Sequence, residues 1–295
     1  MYIETMNMKK MLLPIVLLFV LNVHAQLFWK VSGNGLSKPS YLFGTHHLIE
    51  KEQIKNFDKI IAFVPQTDAI VGEMDMSNML GMQMKMMKEV MMKDTTMKEL
   101  LSDSNYVLVD NGLKEVVGMG LDKLGKMKPM MLSTMYSLMT YMKKMNLKKQ
   151  PEAVDVLFQK RAKKEKKPVI GLETVEQQIS ILFNSIPLQT QADELVKAVK
   201  EKEKEITLMT DMNEAYLGGD LIRIEALNQE DNDMTPEERA IMIDNRNNNW
   251  INQLLTLIPE KSCFIAVGCM HLVGVTGLIN QLRNAGYTVE AVAID

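Results

Sequence analysis

The stretch Lys167-Pro168-Val169-Ile170-Gly171-Leu172-Glu173-Thr174-Val175-Glu176-Gln177 decides the fold class. Its first half is a short apolar run that stops at a glycine and an acid. Its second half opens a helix, with Thr174 as the N-cap and Gln177 three residues on to complete a capping box. A strand that passes directly into a helix is the repeating unit of an α/β protein.

Three other stretches have the same build: Tyr41-Leu42-Phe43-Gly44-Thr45-His46-His47, Ala69-Ile70-Val71-Gly72-Glu73-Met74-Asp75 and Phe264-Ile265-Ala266-Val267-Gly268-Cys269-Met270-His271. Each is an apolar strand, then a glycine, then a polar or ionisable side chain close behind. Residues 27–31 and 41–43 predict a hairpin with a long turn. The helical spacing of Ile54, Phe57, Ile60 and Ile61 lies between the second and third strands, and that strand, helix, strand order predicts a parallel pair.

Residues 76–165 differ in character. They hold most of the methionines and few β-branched residues, a composition that favours helix, over roughly 80–92, 95–102, 105–118, 129–145 and 152–166. Further helices are expected at about 174–184, 190–218, 220–228, 236–258 and 276–285, around strands at 263–267 and 287–294. The expected fold is α/β: a mixed, mostly parallel β-sheet flanked by helices, with a large methionine-rich helical insertion at about 76–165 acting as a lid.

Residues 1–25 have the layout of a secretory signal. Lys9 and Lys10 precede an apolar run from Met11 to Val23, and Val23-His24-Ala25 is a small-x-small cleavage site before Gln26. The run is too short for a comfortable membrane span, so a periplasmic or secreted protein with no stable span after cleavage is expected, as one domain over 26–295. The formal net charge of −3 gives no footprint for nucleic acid. The two cysteines, Cys263 and Cys269, flank a strand that holds them about 20 Å apart, beyond disulfide reach, so both are expected to be reduced and buried.

The chemistry gathers at the strand ends. Ligands of open α/β sheets bind at the carboxyl ends of the strands, and there the chain offers His47, Glu73, Glu173 and His271. All histidines beyond residue 25 fall in the two Gly-x-x-His segments. Adjacent side chains on an extended backbone point opposite ways, and the matching spacing to His271 favours His47 over His46. Two imidazoles and a carboxylate suit a divalent metal ion, with Mn, Co, Zn and Fe not distinguished, and such a metal would acidify a bound water. Without a metal, a histidine and carboxylate pair could act as general base. Glu173 could instead cap the helix that follows, and Asp75 reads as an exposed cap. Arg246 is expected either to bind a substrate carboxylate or to pair with Glu73 or Glu173, since its planar fork suits carboxylates. Methionines such as Met84, Met86, Met87, Met91 and Met92 are read as core or adaptable groove in preference to a Cu(I) site.

These segments, together with Phe28-Trp29-Lys30-Val31, Asp244-Asn245-Arg246-Asn247 and Trp250, make the chain resemble the TraB/GumN family over nearly its whole length beyond residue 25. The resemblance implies kinship with Tiki proteases, metal-dependent enzymes with two Gly-x-x-His motifs and an essential glutamate, matched here by His47, His271 and Glu73. It also implies relatives of unlike activity, including haem-binding and esterase-like proteins. The leading expectation is a metal-dependent hydrolase acting on peptides, with His47, His271 and Glu73 as metal ligands and Glu73 and Glu173 as catalytic carboxylates. A protein that binds haem or a small ligand through the same histidines, and a non-catalytic member working through protein contacts, are the alternatives.

Overall fold

The computed structural model describes residues 27–230 and 234–294. The leader expected at residues 1–25 lies outside them. Six strands form one sheet: β1 (Phe28–Ser32), β2 (Ser40–Thr45), β3 (Ala69–Gly72), β4 (Val169–Gly171), β5 (Cys263–Gly268) and β6 (Thr288–Ala291). Their spatial order is β4-β3-β5-β2-β1-β6. The four glycine-ended strands are contiguous, each parallel to its neighbour, while β1 runs antiparallel to both β2 and β6.

The order follows from how each strand can be covered. β3 is buried throughout and β5 at every residue except Gly268, which suits strands walled by helices on both faces. β6 has one buried residue of four and takes an edge. The expected hairpin of β1 and β2 is present, with Phe28 opposite Phe43. The pairing of β2 with β3 is not: β5 lies between them, bonded to both. An apolar run with neighbours on two sides buries more backbone than one with a single neighbour, and β5 is the longest such run.

Phe158, from the helix Val154–Lys164, packs on the sheet against Phe43, Phe57 and Phe264, with ring centroids 4.7–5.4 Å apart. The helix Asn245–Glu260 buries Trp250, Ile251, Leu254 and Ile258 in the same core. A second apolar core lies apart from the sheet. It joins the helices Asp103–Val117 and Pro129–Lys144 to Leu188–Lys200, around Met97, Leu113, Leu132, Tyr136 and Leu195. The region 76–165 is therefore helical as expected, but its core is completed by a helix that follows β4.

Two long helices are broken. The one expected at 190–218 stops at Lys200 and restarts at Lys202, because Glu201 leaves helical geometry with φ −103° and ψ 29°. The one expected at 236–258 contains a π-turn, Ala240–Asp244, in which the Asn245 N–H bonds to the carbonyl of Ala240. The methionines divide. Met92 and Met97 are core, whereas Met84 and Met87 are 69% and 61% exposed, so packing accounts for only some of the run. Among the described residues no helix is long and apolar enough to cross a membrane. Both cysteines are free and buried, and burial pushes each thiol up to about 12.

Candidate active site

The parallel strands end level with one another. Gly72 lies opposite both Gly171 and Ala266, and Thr45 opposite Gly268. This brings the segments after β2, β3, β4 and β5 together, and glycine is what permits their approach. A Cβ on Gly171 would stand 2.8 Å from the Asp75 backbone nitrogen and 3.0 Å from the Glu173 carbonyl oxygen. Backbone cannot step aside as a side chain tip can, so Gly171→Ala is expected to lose about 1–3 kcal/mol of stability. Urea unfolding measures it; a change within the scatter between wild-type runs would remove this account of the glycine.

Arg246, at the start of the helix Asn245–Glu260, is the hub. Its Nε and Nη2 donate to the two oxygens of Glu173 at 2.8 and 3.0 Å, Nη2 donates also to Glu73 Oε2 at 2.8 Å, and Nη1 donates to the Met242 carbonyl at 3.1 Å. Nη1 lies in addition 3.1 Å from His271 Nε2. All the N–H groups of a guanidinium thus have partners within the protein. Trp250, four residues on, stacks below it with 4.7 Å from Cζ to the ring and donates from Nε1 to Glu173 Oε1 at 3.0 Å. The carbonyl that receives Nη1 belongs to the π-turn, so that local irregularity of the chain forms part of the wall.

This arrangement fixes the tautomer of His271. An arginine can only donate, so Nε2 accepts, and Nδ1 carries the proton that is given to Asn247 Oδ1 at 2.7 Å. The Asn247 amide closes the loop by donating to the His271 and Thr276 carbonyls. His271 is 4% exposed. Burial lowers its pKa to about 4, Glu73 opposes that and Arg246 adds to it, so the ring is neutral.

Glu73 follows β3 directly. Its Oε1 accepts from the Gly268 N–H at 2.9 Å and lies 4.0 Å from His271 Nε2, and its Oε2 accepts from Gln178 at 3.1 Å as well as from Arg246. Burial pushes its pKa up, but the attraction to His271 when that ring is protonated, the Arg246 charge and the Gly268 N–H outweigh this and leave it below the usual glutamate value. One buried guanidinium thus faces two carboxylates and a neutral imidazole.

The residues expected from sequence fall in two sets. Glu73, Glu173, Arg246 and His271 meet in one network. Of the two roles expected for Arg246, pairing with the glutamates is the one its contacts match. Glu173 does not cap the next helix; Thr174 and Gln177 do so, and Glu173 is spent on Arg246 and Trp250. His47 stands at the rim, its side chain 63% exposed and its Nδ1 3.9 Å from Asp155 Oδ2. His46 turns the other way, its ring 5.2 Å from that of Tyr216 and its Nδ1 accepting from the Leu48 N–H. Asp75 is an exposed turn residue that accepts from the Ser77 N–H.

The expected ligand set of His47, His271 and Glu73 does not close around a divalent metal in this arrangement. Among the described residues no three His, Cys, Asp or Glu side chains come together as such a group. The reason lies in Arg246: it covers the one free nitrogen of His271 and one oxygen of Glu73, while His47 faces Asp155.

The linear chain carries no signal for the roles of Gln178, Asp155 and Tyr216, and Asn247 and Trp250 enter it only among the residues that carry the resemblance. Trp250 was within reach, because positions 246 and 250 share a helix face. Asp155 is held beside the site by the fold alone; burial raises its pKa, and its Oδ1 has no hydrogen-bond partner. Tyr216 donates to the Gly44 carbonyl at 2.9 Å.

Residues 27–291 match the family model described as the TraB/PrgY/gumN family. No curated protein and no solved structure matches the chain.

Proposed function

The chain belongs to the TraB/PrgY/gumN family, and from that premise we propose that it is a hydrolase acting on peptide substrates at the carboxyl ends of its parallel strands. The observation that carries the reading is His271: a buried neutral imidazole, locked in one tautomer by Asn247, with Nε2 turned toward Arg246 and Glu73. An imidazole oriented in this way is suited to take a proton from water or to return it to a leaving group. For that, Nη1 of Arg246 leaves His271 and turns to the substrate carbonyl oxygen, where its charge stabilises the negative charge that develops.

The ionised Glu73 holds the far side of the guanidinium, while Glu173 and Trp250 fix its plane. His47, exposed beside Asp155, carries protons between the site and solvent. We assign the protein to the periplasm or the cell exterior on the strength of the secretory signal expected from the sequence of residues 1–25.

Cleavage of a peptide library by the mature protein, with and without added Mn²⁺ or Co²⁺, tests the proposal. His271→Ala and Glu73→Gln are expected to lower cleavage by roughly 100-fold or more while keeping the far-UV spectrum of the wild type. A wild-type protein that cleaves no peptide under either condition would sink the hydrolase, and variants as active as wild type would sink the site.

A further inference from the structure

A cavity of about 480 Å³ opens beside Arg246, between the core on the sheet and the second helical core. Its walls come from the helices Pro129–Lys144, Val175–Asn184, Leu188–Lys200 and Lys202–Leu217 and from the π-turn Ala240–Asp244. Met130, Leu182, Ile186, Leu208, Met212 and Met242 make most of its lining apolar. Arg246 itself lines it, as does Met242, whose carbonyl accepts from Nη1 of Arg246. We propose that this cavity is the specificity pocket of the hydrolytic site, and that it receives a large aliphatic or aromatic side chain of the peptide next to the bond that is cut.

Three observations select that occupant. The volume lies within the range of small-molecule pockets and holds one bulky side chain with room to spare. Its methionines are unbranched and adapt to differing shapes, which suits a site that accepts a class of side chains and not one. Continuity is the third: Arg246, which lines the cavity, bonds to both Glu73 and His271. The acids on the wall are Glu194, Glu205 and Glu238, and two of them pair with each other. Glu194 faces Glu238, and burial together with the hydrogen bond that its protonated carboxyl gives to Glu238 raises its pKa to about 7, so the pair holds a proton near neutrality. Glu238 is in turn held by the Thr235 capping box.

The pocket rests on the hydrolase reading for its substrate, but its occupancy is measured without turnover. The probe is N-phenyl-1-naphthylamine, a neutral apolar fluorophore, titrated into the mature protein. Wild type is expected to bind it, and Ser133→Trp and Met212→Trp, which fill the cavity from the helices Pro129–Lys144 and Lys202–Leu217, to weaken binding by about tenfold or more. Met212→Ala, which enlarges the cavity, retains it, and His271→Ala leaves it unchanged, which separates filling from misfolding. A leucine- or phenylalanine-containing peptide displaces the probe and a glycine peptide of equal length does not.

Equal affinity in both filled variants overturns the pocket. Displacement by laurate but by no peptide overturns the peptide side chain in favour of a lipid. Probe binding that is blocked by filling and displaced by apolar peptides, in a protein that cleaves none of them, upholds the pocket while the hydrolase reading fails.

Discussion

Arg246→Met is expected to lower folding stability by about 3–5 kcal/mol, the cost of leaving buried charge without its partner. Glu173 and Glu73 have side chains 7% and 18% exposed, and Arg246 is the cation that contacts both. Methionine roughly conserves the stem, so the loss reports charge and hydrogen bonds more than packing. For a chain of this size the melting temperature should fall by on the order of 10 °C. Adding Glu173→Gln to Arg246→Met should recover part of the loss, because the uncompensated carboxylate is then gone; the shortfall from additivity measures the coupling. A single variant within about 1 kcal/mol of wild type would mean that water already screens the cluster.

Acid should destabilise the wild-type protein more than His271→Asn. The folded-state pKa of His271 is about 4 against an ordinary value of 6.5. Between those values the unfolded chain binds a proton that the native ring refuses, so this histidine makes stability rise with pH across that window and fall on acidification. The contribution is fully present above the ordinary value and lost as pH drops toward 4. From pH 7 to 4.5 wild type should lose on the order of 3 kcal/mol more than the variant. His46, lowered to about 4 by burial and then by His47, adds a slope of the same sign. Glu194, raised to about 7, works the other way and prefers the folded state at low pH. Both groups remain in wild type and variant, so the difference isolates His271. Urea midpoints that fall in parallel for the two proteins would show that the ring is solvated or already protonated.

The site was partly legible in the linear chain. Glu73, Glu173 and His271 each follow a glycine that closes an apolar run, and that local grammar is enough to place them at strand ends, where a parallel sheet collects its ligands. Of the partners of these groups only Arg246 was legible, as one of two alternatives. Asn247 and Gln178 lie on helices whose faces are set by packing, and Asp155 is 108 positions from His47 in sequence, joined to it only by how the helix Val154–Lys164 lies on the sheet. His47 was matched to His271 by spacing, yet the two differ in what surrounds them. One lies in an exposed turn and the other in a 3₁₀ turn beneath the helix Asn245–Glu260.

The sequence alone determined the α/β class, the four glycine-ended strands and the residue types at their ends, because apolar runs, turn glycines and helix caps act through neighbours in the chain. Tertiary structure decided what depends on elements far apart: that β5 enters between β2 and β3, that Glu201 breaks a helix whose two halves serve different cores, and that Arg246 meets Glu73 and His271. That last contact changes the site most. A guanidinium reaches across three segments to bond both carboxylates and the imidazole, and only the packing of the helix Asn245–Glu260 against the strand ends brings it there.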